Sequence, residues 1–531
     1  MRNRWLSAAS VSLILGAAAC GASKYPMSAM ARSSMAPPAM EMAQPSPAAP
    51  AEPNTESYAR VQDNPFLDAA RNPLSTFSID VDTASYSNVR RFLDQGSLPP
   101  ADAVRIEEMI NYFPYNYAQP TGDAPVAVNA EVAGCPWNAA HRLVRIGLQA
   151  RSLQPGAVPP RNLVFLVDVS GSMSDQNKLP LVVNGLRMLV DQLNENDRIA
   201  IVVYAGSQGL ALPPTSGDRK GQILAALDQL GAGGSTNGAA GIQLAYQVAR
   251  QNFRKDGINR VILATDGDFN VGTTDQSSLE HMIEEERKSG VFLTVLGVGS
   301  GNTKDSTMEM LADKGNGNYA YLDSAAEARK VLVTQAGSTL VTVAKDVKIQ
   351  VEFNPSRVQS YRLVGYENRM LRAEDFRDDR KDAGEMGAGH SVTALYEIVP
   401  PGAPSEAAPV DPLKYQRPAG AAAPSDDLLT VKMRYKQPDG DVSRELAQTV
   451  KDGAGSVEAA SVDFRFAASV AAFGMLLRSS EHKGQATYGL VRNLAEGALG
   501  PDTQGYRHEF VRLAQAAEKL SPAADRKEIA H

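Results

Sequence analysis

The chain has 531 residues, 43% hydrophobic and 21% charged, which is the composition of a globular protein with room for several domains of ordinary size. A formal net charge of -7 argues against a nucleic-acid partner, since such a protein needs a basic surface to replace phosphate counterions. Only two cysteines, Cys20 and Cys135, are present, so a disulfide framework is excluded as the source of stability.

Residues 1–20 read as a secretory signal. Arg2 and Arg4 precede an apolar run that is short for a bilayer span, and Ala17-Ala18-Ala19 lead into Cys20. A cysteine at this place resembles the bacterial lipobox, in which the thiol is lipidated and becomes the new N-terminus. The alternative is an ordinary signal peptide cut nearby. Acyl chains would anchor the protein to a membrane, each buried methylene contributing about 0.8 kcal/mol. Gly21 follows Cys20, where an inner-membrane retention signal would carry Asp, so the expected location is the cell envelope at the outer membrane. Residues 21–60 are rich in Ala, Pro, Met and Ser and are expected to form a flexible tether, having too little apolar surface to offset chain entropy. Cys135 is expected to be a buried small apolar residue.

Residues 61–150 are predicted to form a small, mainly helical N-terminal module. A strand is predicted over 76–81 and a helix over 85–94, with Tyr86, Val89, Phe92 and Leu93 on one face. A second helix follows Pro99-Pro100, where Ile106, Met109, Ile110 and Phe113 repeat at helical spacing. Strands are predicted over 126–132 and 141–149. From 161 to 345 apolar strands alternate with helices, as in a Rossmann-like, doubly wound α/β domain. The strands fall at 163–167, 199–204, 261–264, 291–298 and 319–322, with a short edge strand at 209–212. Helices are predicted at 179–193, 218–230, 239–250, 279–288 and 307–312, with a closing one from 325. Between 346 and 525 the period shifts to two, giving a β-rich, sandwich-like region with strands at 347–353, 358–366, 392–398 and 429–435. Helices at 466–477 and 506–520 close the chain, the former being core and too short for a membrane span. The strand pair at 126–149 is expected to join the strands after 346 in one sandwich, with the α/β domain inserted between them.

The informative residues are Asp168-Val169-Ser170-Gly171-Ser172, directly after the first α/β strand. Two hydroxyls and a carboxylate in one turn are hard oxygen donors of the kind a divalent cation prefers. Alone, the turn would equally suit helix capping. Thr236, in a glycine-rich loop opening a helix, and Asp266, at the end of the 261–265 strand, add two further oxygens. Open α/β sheets collect ligands at the carboxyl ends of their strands, so the five are expected to converge.

Asp168, Ser170, Ser172, Thr236 and Asp266 resemble the metal-ion-dependent adhesion site (MIDAS) of von Willebrand factor type A (VWA) domains. The resemblance implies direct coordination of a divalent ion, magnesium in the first instance, by Ser170, Ser172 and Thr236. It also implies that Asp168 and Asp266 act largely through water, and that a carboxylate from a protein or peptide partner completes the shell. The flanking segments are similar to YfbK-like VWA lipoproteins, notably over residues 104–113 and 266–272. The function expected is binding and not catalysis. A metal-dependent hydrolase and a scaffold with a stabilising metal are the alternatives.

Three other motifs point elsewhere. Gly297-Val298-Gly299-Ser300-Gly301 lacks dinucleotide-loop spacing. His508-Glu509 has Arg512 where a zinc-protease helix needs its second histidine. Asp80-Val81-Asp82-Thr83-Ala84-Ser85 is expected to serve as a turn and helix cap.

Overall fold

The structure is a computed structural model and describes residues 55–521, apart from 155–157, 206–207, 235–237, 268–275, 337–339, 405, 409–424 and 454. The expected signal segment and Cys20 lie outside the described residues. Residues 55–57, read from sequence as the end of the tether, instead pair with a loop of the α/β domain. Thr55 N donates to Gly301 O at 2.6 Å and Ser57 N to Thr303 O at 3.0 Å, while Gly301 N donates to Glu56 Oε1 at 2.7 Å.

The first elements are β1 (Leu67–Asp68), β2 (Leu74–Ser78), α1 (Ala84–Asp94), α2 (Ile106–Asn111), β3 (Val126–Cys135) and β4 (Asn138–Ala150). Helix α2 stops short of Phe113 because Pro114 follows, and the residue before a proline is driven out of helical geometry. Phe113 is nevertheless buried.

The α/β domain comprises β5 (Arg161–Asp168), α3 (Leu179–Val190), β6 (Arg198–Tyr204), β7 (Gln208–Ser216), α4 (Lys220–Asp228), α5 (Gly238–Gln251) and β8 (Ile258–Thr265). It continues with α6 (Gln276–Arg287), β9 (Phe292–Val298), α7 (Asp305–Lys314), β10 (Tyr319–Leu322) and α8 (Ala325–Arg329). Its sheet has the order β10-β9-β8-β5-β6-β7, parallel throughout except for β7. Strand β5 is buried along its whole length because helices cover both faces. Leu163, Phe165 and Val167 enter one core, and Val164 and Leu166 the other. From β5 the chain winds out to β6 and β7, then crosses to β8 on the opposite side. The switch point therefore lies between β5 and β8, where ligands of such sheets gather.

The remaining elements are β11 (Thr342–Phe353), β12 (Ser360–Val364), β13 (Met370–Leu371), β14 (Gly384–Gly387), β15 (Ser391–Val399), β16 (Asp427–Lys436), β17 (Ser443–Lys451), α9 (Val462–Leu477), α10 (Tyr488–Glu496) and α11 (Tyr506–Leu520). Strand β11 begins at Thr342, inside the segment assigned from sequence to the α/β unit. Segments on either side of that unit interleave. One sheet runs β1-β12-β15-β4-β3 and the other β13-β2-β11-β16-β17, with β14 also on β11. Register from Ser391↔Gln149 to Ile398↔Arg142 joins β15 to β4, the joint sheet that the isolated strand pair predicts. Strand alternation then sorts side chains: Val144, Ile146 and Leu148 fill the space between the sheets, while Leu143 faces a helical layer. That layer draws on α1, α2, α9, α10 and α11, with Tyr86, Phe113, Phe466, Phe473 and Phe510 in one core. Helix α9 starts at Ser461, whose side chain accepts from Phe464 N, and is buried on nearly all sides. At 16 residues it is core, and among the described residues no helix is long and apolar enough to cross a membrane.

Candidate metal centre

Asp168 ends β5 with its carboxylate fully buried. The chain turns at once, and Ser170 N donates back to Asp168 Oδ1 at 2.9 Å. The turn brings Ser170 Oγ and Ser172 Oγ to 3.1 Å, Ser170 buried and Ser172 exposed. Gly171 N donates to Gly234 O at 3.1 Å, and Gly233 N to Val169 O at 2.7 Å. These bonds tie the serine turn to the glycine-rich loop. Thr236 itself lies outside the described residues.

Asp266 follows β8, the strand next to β5, and is also fully buried. Gly267 takes a positive φ of 86° there, and a Cβ would lie 2.7 Å from Lys304 N, so glycine is what allows this close passage. Asp168 Oδ2 accepts from the Tyr204 hydroxyl at 3.1 Å and from Thr265 Oγ1 at 3.2 Å. Burial pushes the Asp168 carboxyl above its ordinary range and Asp266 adds to this, while hydrogen bonds from Ser170 and Tyr204 oppose both. Asp266 Oδ2 accepts from Lys178 Nζ at 3.1 Å and from Asn302 Nδ2 at 2.9 Å. The donor set consists of carboxylates and hydroxyls, hard oxygens at one end of adjacent strands, and such a set fits a hard divalent cation. Beside Ser174 a groove of about 520 Å³ opens, with Met173, Leu179, Val183, Leu227 and Leu230 in its wall.

Comparison with known proteins agrees with this architecture. The family described as "von Willebrand factor type A domain" matches residues 162–335, "von Willebrand factor" matches 52–145, and "Uncharacterized protein YfbK, C-terminal" matches 338–520. Uncharacterized protein YfbK of Escherichia coli (strain K12) is 47% identical over 482 residues, covering 89% of this chain and 82% of the relative. The chain belongs to the YfbK family. Among solved structures, a von Willebrand factor type A protein from Catenulispora acidiphila is 15% identical, with a TM-score of 0.43, covering 75% of this chain and 91% of that one. BatB from Bacteroides thetaiotaomicron is 19% identical, with a TM-score of 0.29, covering 33% and 96%.

VWA domains commonly bind a divalent metal and mediate protein–protein interaction. In this YfbK-family chain the structure adds Tyr204, Thr265, Lys178 and Asn302 around the two aspartates, none of which sequence reasoning singled out. Thr265 alone had a local signal, standing immediately before Asp266.

A second set of acids emerges from the Asp80–Ser85 segment. Asp80 Oδ1 accepts from Asp82 N at 2.9 Å, the expected turn, but Thr83 at the start of α1 makes no side-chain cap. Asp80, Glu108 and Glu309 instead meet with carboxylate oxygens within 4.8 Å of one another, all buried. Guanidinium groups thread this cluster. Arg369 reaches Asp80 at 3.0 Å and Asp313 at 2.6 Å, and Arg105 reaches Glu309 at 2.7 Å and Glu108 at 3.3 Å. It is a network of guanidinium–carboxyl contacts joining α7 to α2 and the sandwich.

Proposed function

We propose that this chain is an envelope-anchored binding protein that captures a carboxylate of a partner protein through a divalent cation. Asp168, Ser170, Ser172, Thr236 and Asp266 would hold the ion. The observation that carries the reading is the turn after β5, where two hydroxyls lie 3.1 Å apart directly beyond a buried carboxylate. Asp266 directly follows the neighbouring strand, at the switch point of the sheet. When bound, the cation supplies a Lewis-acidic point that an anion can occupy. Hydroxyl ligands are neutral and leave its charge largely intact. Magnesium is the ion we assign, on the strength of the all-oxygen donor set.

Exposure of Ser172 supports access by a macromolecule. Around Asp168, the groups from Ser170, Tyr204 and Thr265 all donate to the carboxylate and oppose the upward push of its burial. We read the site as one for binding and not for turnover. Membrane attachment through a lipid on Cys20, at the outer membrane, is part of the same proposal and rests on the Ala-Ala-Ala-Cys sequence.

The test is calorimetric titration with Mg2+ and Mn2+, together with capture from envelope extract in the presence and absence of chelator. Wild type is expected to bind metal and to capture its partner only without chelator; Asp168→Ala and Ser172→Ala are expected to lose both. Capture that survives both chelation and Asp168→Ala would sink the reading. Labelled palmitate is expected to enter the wild type and not Cys20→Ser.

A further inference from the structure

Lys178 stands at the start of α3 and is only 5% exposed. Its Nζ lies 3.1 Å from Asp266 Oδ2 and 3.1 Å from Asn302 Oδ1, and Asn302 Nδ2 donates to the same Asp266 oxygen at 2.9 Å. The path of the side chain is built into the fold. Its stem crosses Gly299, which has a positive φ of 82°, and a Cβ there would lie 2.8 Å from Lys178 Cγ. A side chain at 299 would crowd the stem and would have to adopt a backbone conformation that favours glycine, so Gly299 leaves room for the path that brings the ammonium to Asp266.

Burying an ammonium or a carboxylate alone is costly, and pairing offsets that cost only when geometry is good and the remaining hydrogen bonds are made. Here both partners are buried and Asn302 bonds to each. Of the two buried carboxylates at the end of β5 and β8, Lys178 therefore compensates one, whereas Asp168 is met by the neutral donors Ser170 N, Tyr204 and Thr265.

Resting on the metal-binding reading above, we propose that Lys178 is a positioning residue of the centre, a resident monovalent cation that holds Asp266. It lowers the affinity for a dication by direct repulsion. It also leaves the loaded centre one positive charge in excess, because a dication and an ammonium face two carboxylates. Without Lys178 the loaded centre would be formally neutral and would hold an anion less well. The residue thus exchanges metal affinity for affinity toward a carboxylate.

The experiment uses the full chain at pH 8 with Mn2+ as the metal probe and acetate as the carboxylate probe. Mn2+ affinity is read by calorimetry, and acetate binding to the Mn2+-loaded protein by water-proton relaxation. Lys178→Met and Lys178→Gln are both titrated, the amide of the second keeping a donor toward Asp266 and so guarding the fold. Removing the ammonium is expected to tighten Mn2+ binding about tenfold and to weaken acetate binding about threefold, whereas Lys178→Arg stays near wild type. Neutral variants that bind Mn2+ no more tightly than wild type overturn the proposal, as does acetate binding that does not change. Equal Mn2+ affinity in wild type and Asp168→Ala marks a different failure, that of the metal site itself.

Discussion

The hydroxyl of Tyr204, at the end of β6, donates to Oδ2 of Asp168, at the end of β5, across 3.1 Å of fully buried space. The register pairs these two residues directly, so the sheet itself sets the contact. Tyr204→Phe keeps the ring and removes one donor. It is expected to cost about 1 kcal/mol in stability and to weaken Mn2+ binding severalfold, since a less well held carboxylate is a poorer ligand anchor. Urea denaturation and calorimetry measure the two effects.

Two helical glycines provide a pair of opposite sign. A Cβ on Gly241 in α5 would lie 2.8 Å from Tyr204 Cβ, against backbone-proximal atoms that cannot swing away. Gly241→Ala is expected to destabilise by about 1–3 kcal/mol and to weaken metal binding through displaced Tyr204. A Cβ on Gly221 in α4 meets nothing within 4 Å, so Gly221→Ala is expected to stabilise by about 0.5–1 kcal/mol and leave metal binding unchanged. Thermal melts and Mn2+ titration of both variants check this.

Arg369 is the hub of the acidic cluster, in contact with Asp80, Asp82, Glu309 and Asp313. Arg369→Met removes the cation and leaves carboxylates buried beside one another. A loss of about 3–5 kcal/mol is expected, read from the urea midpoint, because an uncompensated buried charge is costlier than the pair is favourable.

Burial pushes the Glu309 carboxyl up to about 8, Arg105 and Arg369 pulling against it and Asp313 and Asp305 adding to it. An acid whose value is raised by folding contributes stability that is full below its ordinary range near 4.5 and is lost as pH climbs toward 8. Each pH unit crossed in that window lowers stability by up to about 1.4 kcal/mol. Glu309→Gln cannot ionise. Its stability relative to wild type is therefore expected to improve steadily from pH 5 to pH 8, as followed by urea denaturation; a constant difference would show that Glu309 keeps its charge throughout.

Much of the architecture was legible because its signals are local. The apolar run from Leu163 to Val167 in β5 can be read within a few residues, as can the apolar residues at every second position of β4 (Val144, Ile146, Leu148) and β15 (Val392, Ala394, Tyr396, Ile398). Asp168, Ser170 and Ser172 could be read together because one turn holds them. Lys178 and Asn302 could not, since they meet Asp266 from 88 and 36 residues away with no motif to mark them. The same holds for Asp80, Glu108 and Glu309, which come from three separate segments. Helix α10 is not among the elements expected from sequence; Thr487, whose side chain accepts from Leu490 N, caps it, and it packs against α9 and α11.

The pairing of Thr55 and Ser57 with Gly301 and Thr303 has a mechanical consequence. Those bonds grip the loop on either side of Asn302, and Asn302 grips Asp266. Tension on the chain ahead of Thr55 would load this loop, and the Asn302 amide, together with the Lys178 ammonium bonded to it, would carry the strain onward to the aspartate.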